Sequence, residues 1–555
     1  MVPLQVAQLP QGAAHTPTSQ EPNDALTRAE PRTAGPSCDV SPSISPQDET
    51  DLPHVPIRSV YQLTKLSALR SPDATESAPG VPKHSDNGLD TATDLVSRGL
   101  LSQEDAERLF SQYIGRLDHY MYGVVNSRYR HLNDVRRKSP ILTAAILTVA
   151  AMHEPRSNDL YAVCSSDFRR LVTLSLLDRR VDRDYLRALC VASYWLNDIS
   201  WVLSGVACRR AAEFDIASHY NRLVAHNDED SADFVRVWYL IYICDQHLST
   251  LYARECSSRE DSAILGYESL LKLPRVTAND QRLASQMALL SMIHSIRELF
   301  GNDESISQMN SAVLLTQIKG FSRQLDQWVD QWRATFPEVQ EGFGPFPRKG
   351  ALFHYYFAKL YLYSHTFRGK NTAVLPPELS EPAHGAVAAA TSILNMIISD
   401  EDVRAGLVGL PAYIQSMTGF ACMILARLAC THGDSKLVET ATVIDLISQL
   451  KEVYKATPVG KWHLVHLMPR GFDRVLATLQ QHKPAEDEIS PGGTVIRNGM
   501  GNYAQGPPML SENTAAFDLD PFFLMDDMSL DYSAPQHLYM NQLHPGFMDH
   551  HSGFS

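Results

Sequence analysis

None of the eight cysteines in this chain stands in Cys-x-x-Cys spacing. Cys38, Cys164, Cys190, Cys208, Cys244, Cys256, Cys422 and Cys430 are scattered, and most sit inside apolar helical patterns, where a free thiol behaves as a small hydrophobe. Structural zinc sites draw their ligands from local spacings, so a metal centre built from these residues is not expected. A disulfide framework does not suit so large a chain of cytosolic character. Long apolar runs are missing too. Ile141–Met152 is the longest, and its 12 residues suit a buried core helix rather than a bilayer span. Positive charge is in deficit, with 49 Lys and Arg against 63 Asp and Glu and a net charge of −14. No global field therefore attracts nucleic acid, and a DNA contact has to come from a local patch or another polypeptide. The opening MVPLQVAQLPQ has neither the basic segment nor the apolar core of a secretory signal. The expectation is a soluble intracellular protein with no membrane partner.

Catalytic constellations are equally sparse. There is no Gly-x-x-x-x-Gly-Lys-Ser/Thr loop and no Gly-x-Ser-x-Gly elbow. Gly499–Ala504 matches Gly-x-Gly-x-x-Ala in letters, but it follows no strand pattern and runs into Pro507-Pro508. His153-Glu154 lacks the second histidine of a zinc-protease helix, and His550-His551 reads as a solvated terminal pair. Asp245 closes an apolar run, where an isolated carboxylate is costly. It is either a general base or, as helical cores more often provide, an ion-paired structural residue with Arg209, Arg210 or Arg254 as partner. The basic cluster Arg128, Arg130, Arg136, Arg137 and Lys138 has no interleaved base-reading residues and reads as a solvated face. Neither an enzyme nor a bound cofactor is expected.

What the chain does have is helical periodicity. Apolar residues make up 44% of it, enough for a real core. Residues 1–92 are rich in Pro, Ser, Thr and Gly, including Ser41-Pro42, Ser45-Pro46 and Ser71-Pro72, and are expected to be disordered. A helical body is predicted over 93–480. Ser102 is a capping residue with an acid three positions on, followed by Ala106, Leu109, Phe110, Tyr113, Ile114 and Leu117 at helical spacing. Ser139-Pro140 opens a buried helix, and further helices are predicted around 185–195, 280–300, 309–335, 353–366, 386–398, 413–431 and 436–454. No segment alternates strictly as a strand does, so the fold class is all-α, a large multi-helix domain between two disordered tails. Its helices are expected to build one continuous core with room for a central cavity.

The middle of the chain is the most distinctive. Ile199, Val202, Leu203, Val206, Ala207, Phe214 and Ala217 share one helical face, and Val237–Cys244 is apolar all round, the mark of a helix buried on every side. The pieces come in a definite order. Ser204-Gly205 with its following helix leads to Trp238 in Val237-Trp238, then to Asp245 in Ile243-Cys244-Asp245-Gln246, to Arg254, and to Leu273-Pro274. This order resembles the regulatory middle region of fungal zinc-cluster transcription factors. The blocks LVSRGLLSQEDAERLFSQYI, YRHLNDVRRKSPILTAAILTVAA and NDQRLASQMALLSMIHSIRELFG are similar to regulators of secreted-protease genes, the PrtT type. The resemblance implies an all-helical regulatory domain, a nuclear location and a role in RNA polymerase II transcription. A regulator of a secondary-metabolite cluster would share these features, and a helical scaffold or adaptor without DNA binding is a further alternative.

Two departures from the family accompany the likeness. Zinc-cluster factors carry six cysteines near the N-terminus, in Cys-x2-Cys-x6-Cys halves that hold two zinc ions and present basic residues to the major groove. Here that region holds Cys38 and no such half. Zinc is therefore expected only with an upstream cysteine cluster, and promoter DNA is reached either through such a segment or through a partner factor. Arg254-Glu255 also stands where many members have Arg-Pro.

After Arg497 the chain has no lysine or arginine. Within this tail, 481–555, Phe517, Asp518, Asp520, Phe522, Phe523, Leu524, Met525, Asp526, Asp527 and Leu530 alternate acids with bulky apolar groups. That is the composition of disordered activation segments, so residues 512–535 are predicted to dock their aromatic groups in a coactivator groove. Self-association as a homodimer is left open.

Overall fold

Ser102 opens the first helix, its hydroxyl accepting from the Asp105 N–H at 3.0 Å, as the capping sequence predicts. The computed structural model describes residues 93–178, 181–300, 310–367, 376–432 and 437–481. Among them every extended regular element is a helix, and pairing of strand type is limited to one isolated bridge between Gln340 and Gly344. The all-α expectation is met. The tail residues, the Ser-Pro pairs, Cys38, Gly499–Ala504, His550-His551 and the activation segment lie outside the described residues.

In chain order the α-helices are α1 (Gln103–Gln112), α2 (Leu132–Lys138), α3 (Pro140–His153), α4 (Asn158–Ser175), α5 (Arg183–Trp195) and α6 (Ser200–Ala211). There follow α7 (Ile216–His226), α8 (Glu229–Leu251), α9 (Ser262–Leu265), α10 (Ala278–Phe300), α11 (Ser311–Thr335) and α12 (Phe346–Ser364). The last are α13 (Ser380–Ser399), α14 (Glu401–Gly406), α15 (Ala412–His432), α16 (Thr440–Ala456) and α17 (Leu464–Gln481). Short polar side chains start many of them. Ser139, Asp182, Asp228 and Asp400 each accept a backbone N–H of the following turn, which satisfies donors that the helix itself leaves unpaired.

Helix α8 is the hub of the core. It packs against α5, α6, α7, α10 and α15, so an amphipathic stripe would leave one of those neighbours facing polar groups. Its run from Val237 to Cys244 is buried at every position, as the all-round apolar sequence predicts. Helix α3 follows the same logic under α4 and α5, with Leu142–His153 buried throughout.

Three sequence expectations need correction. The face from Ile199 to Ala217 is not one helix. Helix α6 ends at Ala211, and the Asp215 carboxylate restarts the chain by accepting from the Ser218 N–H at 3.0 Å. Val202 is consequently 63% exposed, and Ala217 lies on the surface of a separate helix. Helix α12 begins at Phe346 rather than 353, because prolines 345 and 347 fit a first turn whose N–H groups need no partner. Finally, Ile141–Met152 is not the longest apolar stretch in helical form. Ala412–Thr431 is long and apolar enough by length and composition to cross a membrane, with 67% of it buried inside the fold. Gln415, Ser416, Thr418 and Arg427 interrupt its letters without breaking the helix.

Candidate functional site

The seven motif residues of the middle segment fall on four pieces of structure. Ser204 and Gly205 lie on α6, Trp238 and Asp245 on α8, and Arg254 in the turn after α8. Leu273 caps a short 3-10 turn over Tyr267–Lys272, with Pro274 exposed behind it. Trp238 is 5% exposed, and its indole N–H has no acceptor among the described residues. A Cβ at Gly205 would meet nothing within 4 Å, so this glycine is not required by a close approach.

The counterpart of Asp245 is a serine. Its carboxylate accepts from the Ser258 N–H at 2.8 Å and the Ser258 hydroxyl at 2.6 Å, pinning the loop beyond α8 back onto the helix. Arg210 is committed elsewhere, to Glu213 at 3.1 Å and to the carbonyls of Leu176 and Asp178. The expected ion pair with Arg209, Arg210 or Arg254 is not what holds Asp245 among the described residues; the Ser258 backbone N–H and hydroxyl do so instead. The thiols around it are unreactive. Burial pushes Cys190 up to about 12 and holds Cys208 and Cys244 higher still, so thiolate is negligible near neutral pH. Among the described residues no group of three His, Cys, Asp or Glu is placed to hold a metal ion.

Three of the five residues of the basic cluster are drawn into ion pairs, while Arg130 and Lys138 stay exposed. Arg136 pairs with Asp94 at 2.9 Å, Arg137 with Asp134 at 2.7 Å, and Arg128 approaches Asp233 at 3.7 Å. Guanidinium groups spent in this way present no tuned phosphate-binding row.

A second constellation lies deeper, where α10, α12 and the start of α15 meet. Arg282 of α10 is enclosed between aromatic rings, its guanidinium carbon 4.8 Å from the Tyr122 centroid and 4.6 Å from that of Phe343. Two unusual backbone segments hold those rings. Tyr122 is in the left-handed region at φ 56°, followed by Gly123 at 71°, where a Cβ would lie 2.9 Å from the Asn279 amide nitrogen. Phe343 sits between Gly342 and Gly344, at φ 71° and 63°, in the tight loop closed by the Gln340–Gly344 bridge. Such conformations suit glycine and cost energy at Tyr122. Arg282 Nη1 donates to the His119 carbonyl at 2.8 Å and to Asn279 Oδ1 at 3.1 Å. Burial lowers its pKa, and the charges that offset this are phenols, not carboxylates.

Beside Arg282 lies a cavity of about 50 Å³, bordered by Tyr120, Tyr122, Ser285, Gln286, His354 and Tyr413 among others. Burial holds His354 down to about 4 and His247 well below its ordinary value, so both imidazoles are neutral. His247 stacks on Tyr413 with centroids 4.3 Å apart. His354 Nε2 is buried without a hydrogen-bond partner among the described residues, whereas the Gln286 side chain faces the His247 imidazole as a hydrogen-bonding partner.

Residues 99–470 match the family described as the middle domain of the transcriptional activator of proteases prtT. This chain belongs to the prtT-like family. It is 31% identical over 538 residues to the "Transcriptional activator of proteases prtT" of Emericella nidulans, a match covering 93% of this chain and 79% of that relative. The family match spans all seven motif residues and the whole Arg282 constellation, whereas Phe517–Leu530 lies beyond it.

Sequence reasoning reached the PrtT type through local blocks but passed over Arg282. The faint signal was Arg282 immediately before the mostly apolar stretch LASQMALL, together with Gly-Phe-Gly at 342–344. Neither reveals that Tyr122, 160 residues upstream of Arg282, would supply the second ring.

Proposed function

We propose that this chain is a nuclear regulator of RNA polymerase II transcription that acts on secreted-protease genes, and not an enzyme. The observation that carries this reading is its membership of the prtT-like family, with likeness running over 93% of the chain. The helical body, 93–480, serves as the regulatory domain, and 512–535 as the segment that engages a coactivator. Promoter DNA is reached through an upstream zinc cluster or a partner factor, since three of the five basic residues at 128–138 are taken up by internal ion pairs.

Tethering the whole chain to a promoter through an unrelated DNA-binding domain separates this reading from that of an inert scaffold. Reporter output rises if the chain is an activator and stays at background if it is a scaffold. Loss of protease transcripts on gene deletion in the host then distinguishes protease genes from a metabolite cluster as targets.

A further inference from the structure

We infer that the cavity beside Arg282 is a binding site for a small organic anion, a short-chain monocarboxylate that docks on the open edge of the guanidinium. The argument begins with charge. The other buried arginines among the described residues have carboxylate partners: Arg187 is held by Asp184 and Asp233, and Arg210 by Glu213. Arg282 has none among the described residues, and no Asp or Glu borders its cavity. Lys349, the other cation there, is already paired with Asp400 at 2.7 Å and with Asp402. A buried cation with no counter-ion is costly, and an anion supplied from outside offsets that cost.

Hydrogen bonding points the same way. The faces of the guanidinium are covered by Tyr122 and Phe343, and both of its hydrogen bonds to described residues leave from Nη1. Nε and Nη2, the fork that suits a carboxylate, donate to no described protein atom, and the geometry of that edge favours two parallel N–H···O bonds. His354 borders the same cavity with a buried Nε2 that has no described partner, which is a further point for orienting a polar ligand.

Size and charge define the ligand class. One water needs roughly 10–15 Å³ measured in this way, so a cavity of about 50 Å³ accepts roughly three to five non-hydrogen atoms. An amino acid is disfavoured, because its ammonium group would face Arg282 with no carboxylate to receive it. The apolar borders, Phe353, Ile414 and Leu410, suit a short alkyl tail. An outer crevice of about 280 Å³ lies next to the cavity, with Arg116 at its rim, and Tyr120 and Phe346 border both spaces. Tyr120, Phe343 and Phe346 form the wall between them, with centroids 4.9–5.3 Å apart. Gly409 makes room for that wall, since a Cβ there would lie 2.3 Å from the Tyr120 ring.

The binding claim stands on the cavity and not on the transcriptional reading, so its test is a binding measurement. The full chain is titrated calorimetrically and by thermal melting with acetate, propionate, benzoate, propionamide and inorganic phosphate, at constant ionic strength. Acetate or propionate should bind saturably and raise Tm, while propionamide, which lacks the charge, and benzoate, which exceeds the cavity, should not. Arg282→Met should weaken carboxylate binding by about tenfold or more, the loss expected for a charge-assisted bidentate contact. Ala351→Leu, which fills the cavity and leaves Arg282 in place, should abolish the response while the protein still melts cooperatively. No saturable carboxylate binding, binding that survives both substitutions, or phosphate binding as tight as propionate would each overturn the proposal.

Discussion

Arg187 on α5 reaches Asp233 on the first turns of α8, and the arginine side chain is 0% exposed. The same guanidinium holds Asp184 at 2.7 Å on its own helix, so one cation ties two helices and two carboxylates together. Arg183 and Arg128 reach the same Asp233 at 3.2 and 3.7 Å from the outside, spreading the charge towards solvent. The pair explains how a helix as apolar as α8 is registered against α5. Apolar contact alone allows sliding, whereas a buried ion pair accepts one alignment.

Removing Asp233 strands part of a buried positive charge. Asp233→Ala should destabilise the fold by about 3–5 kcal/mol, the usual cost of breaking a buried pair from one side. Replacing Arg187, Asp184 and Asp233 together with Met, Leu and Leu should recover most of that loss. Urea melts of the three proteins decide the matter. Equal destabilisation in the single and triple variants would mean that the pair acts through side-chain volume and not charge.

Trp238 gives a sharper test of the hub helix. Trp238→Ala should open a cavity and cost about 3–5 kcal/mol. Because the indole N–H has no acceptor among the described residues, Trp238→Phe removes a poorly satisfied donor and should cost clearly less than the alanine change. Thermal melts that rank Phe no better than Ala would show that this N–H is satisfied after all.

Stability should fall as pH drops from about 6.5 towards 4.5. His153 and His354 are held down to about 4 by burial, and His247 and His463 well below their ordinary values. In the unfolded chain each protonates near 6.5, so the unfolded state binds more protons in this window, and stability is lost with acid at up to about 1.4 kcal/mol per pH unit for each group. Asp118 opposes them. Burial raises its carboxyl to about 7 even though it accepts from the N–H groups of Val125 and Asn126, so its contribution is largest at low pH and lost as pH rises from about 4 through 7. Four histidines outweigh one aspartate. Asp118→Asn should therefore steepen the acid decline in Tm measured between pH 4.5 and 7.5, and His354→Asn should flatten it.

The tail expectation rests on composition, since 512–535 lies outside the described residues. Fused to an unrelated DNA-binding domain, this segment should activate a reporter. Changing Phe517, Phe522, Phe523 and Leu524 to Ala should remove most of that activity with the acids intact. Desolvation of the aromatic groups supplies affinity for an apolar groove, and the carboxylates keep them solvated and steer encounter. Undiminished output from the quadruple variant would make the aromatic pattern incidental.

Local pattern in the sequence accounts for the all-helical class, most of the long helices and the family likeness, but not for α4 and α17, which no expected segment covered. Caps at Ser102 and Ser139, the all-round apolar run at 237–244 and the ordered motif pieces are local patterns, and local hydrogen bonding and periodicity follow from neighbours a few residues apart. Where two periodic segments adjoin, the same letters mislead, as at Ala211–Ile216, because a cap that restarts a helix overrides a continuing stripe. Only the tertiary structure decided which charges are shared and which stand alone. Arg187 and Arg282 are both arginines in apolar helical surroundings, yet one meets Asp233 from 46 residues away, and the other meets two aromatic rings carried by left-handed turns. Long-range pairing of that kind depends on which helix faces come together, and the apolar pattern that drives packing leaves it undetermined.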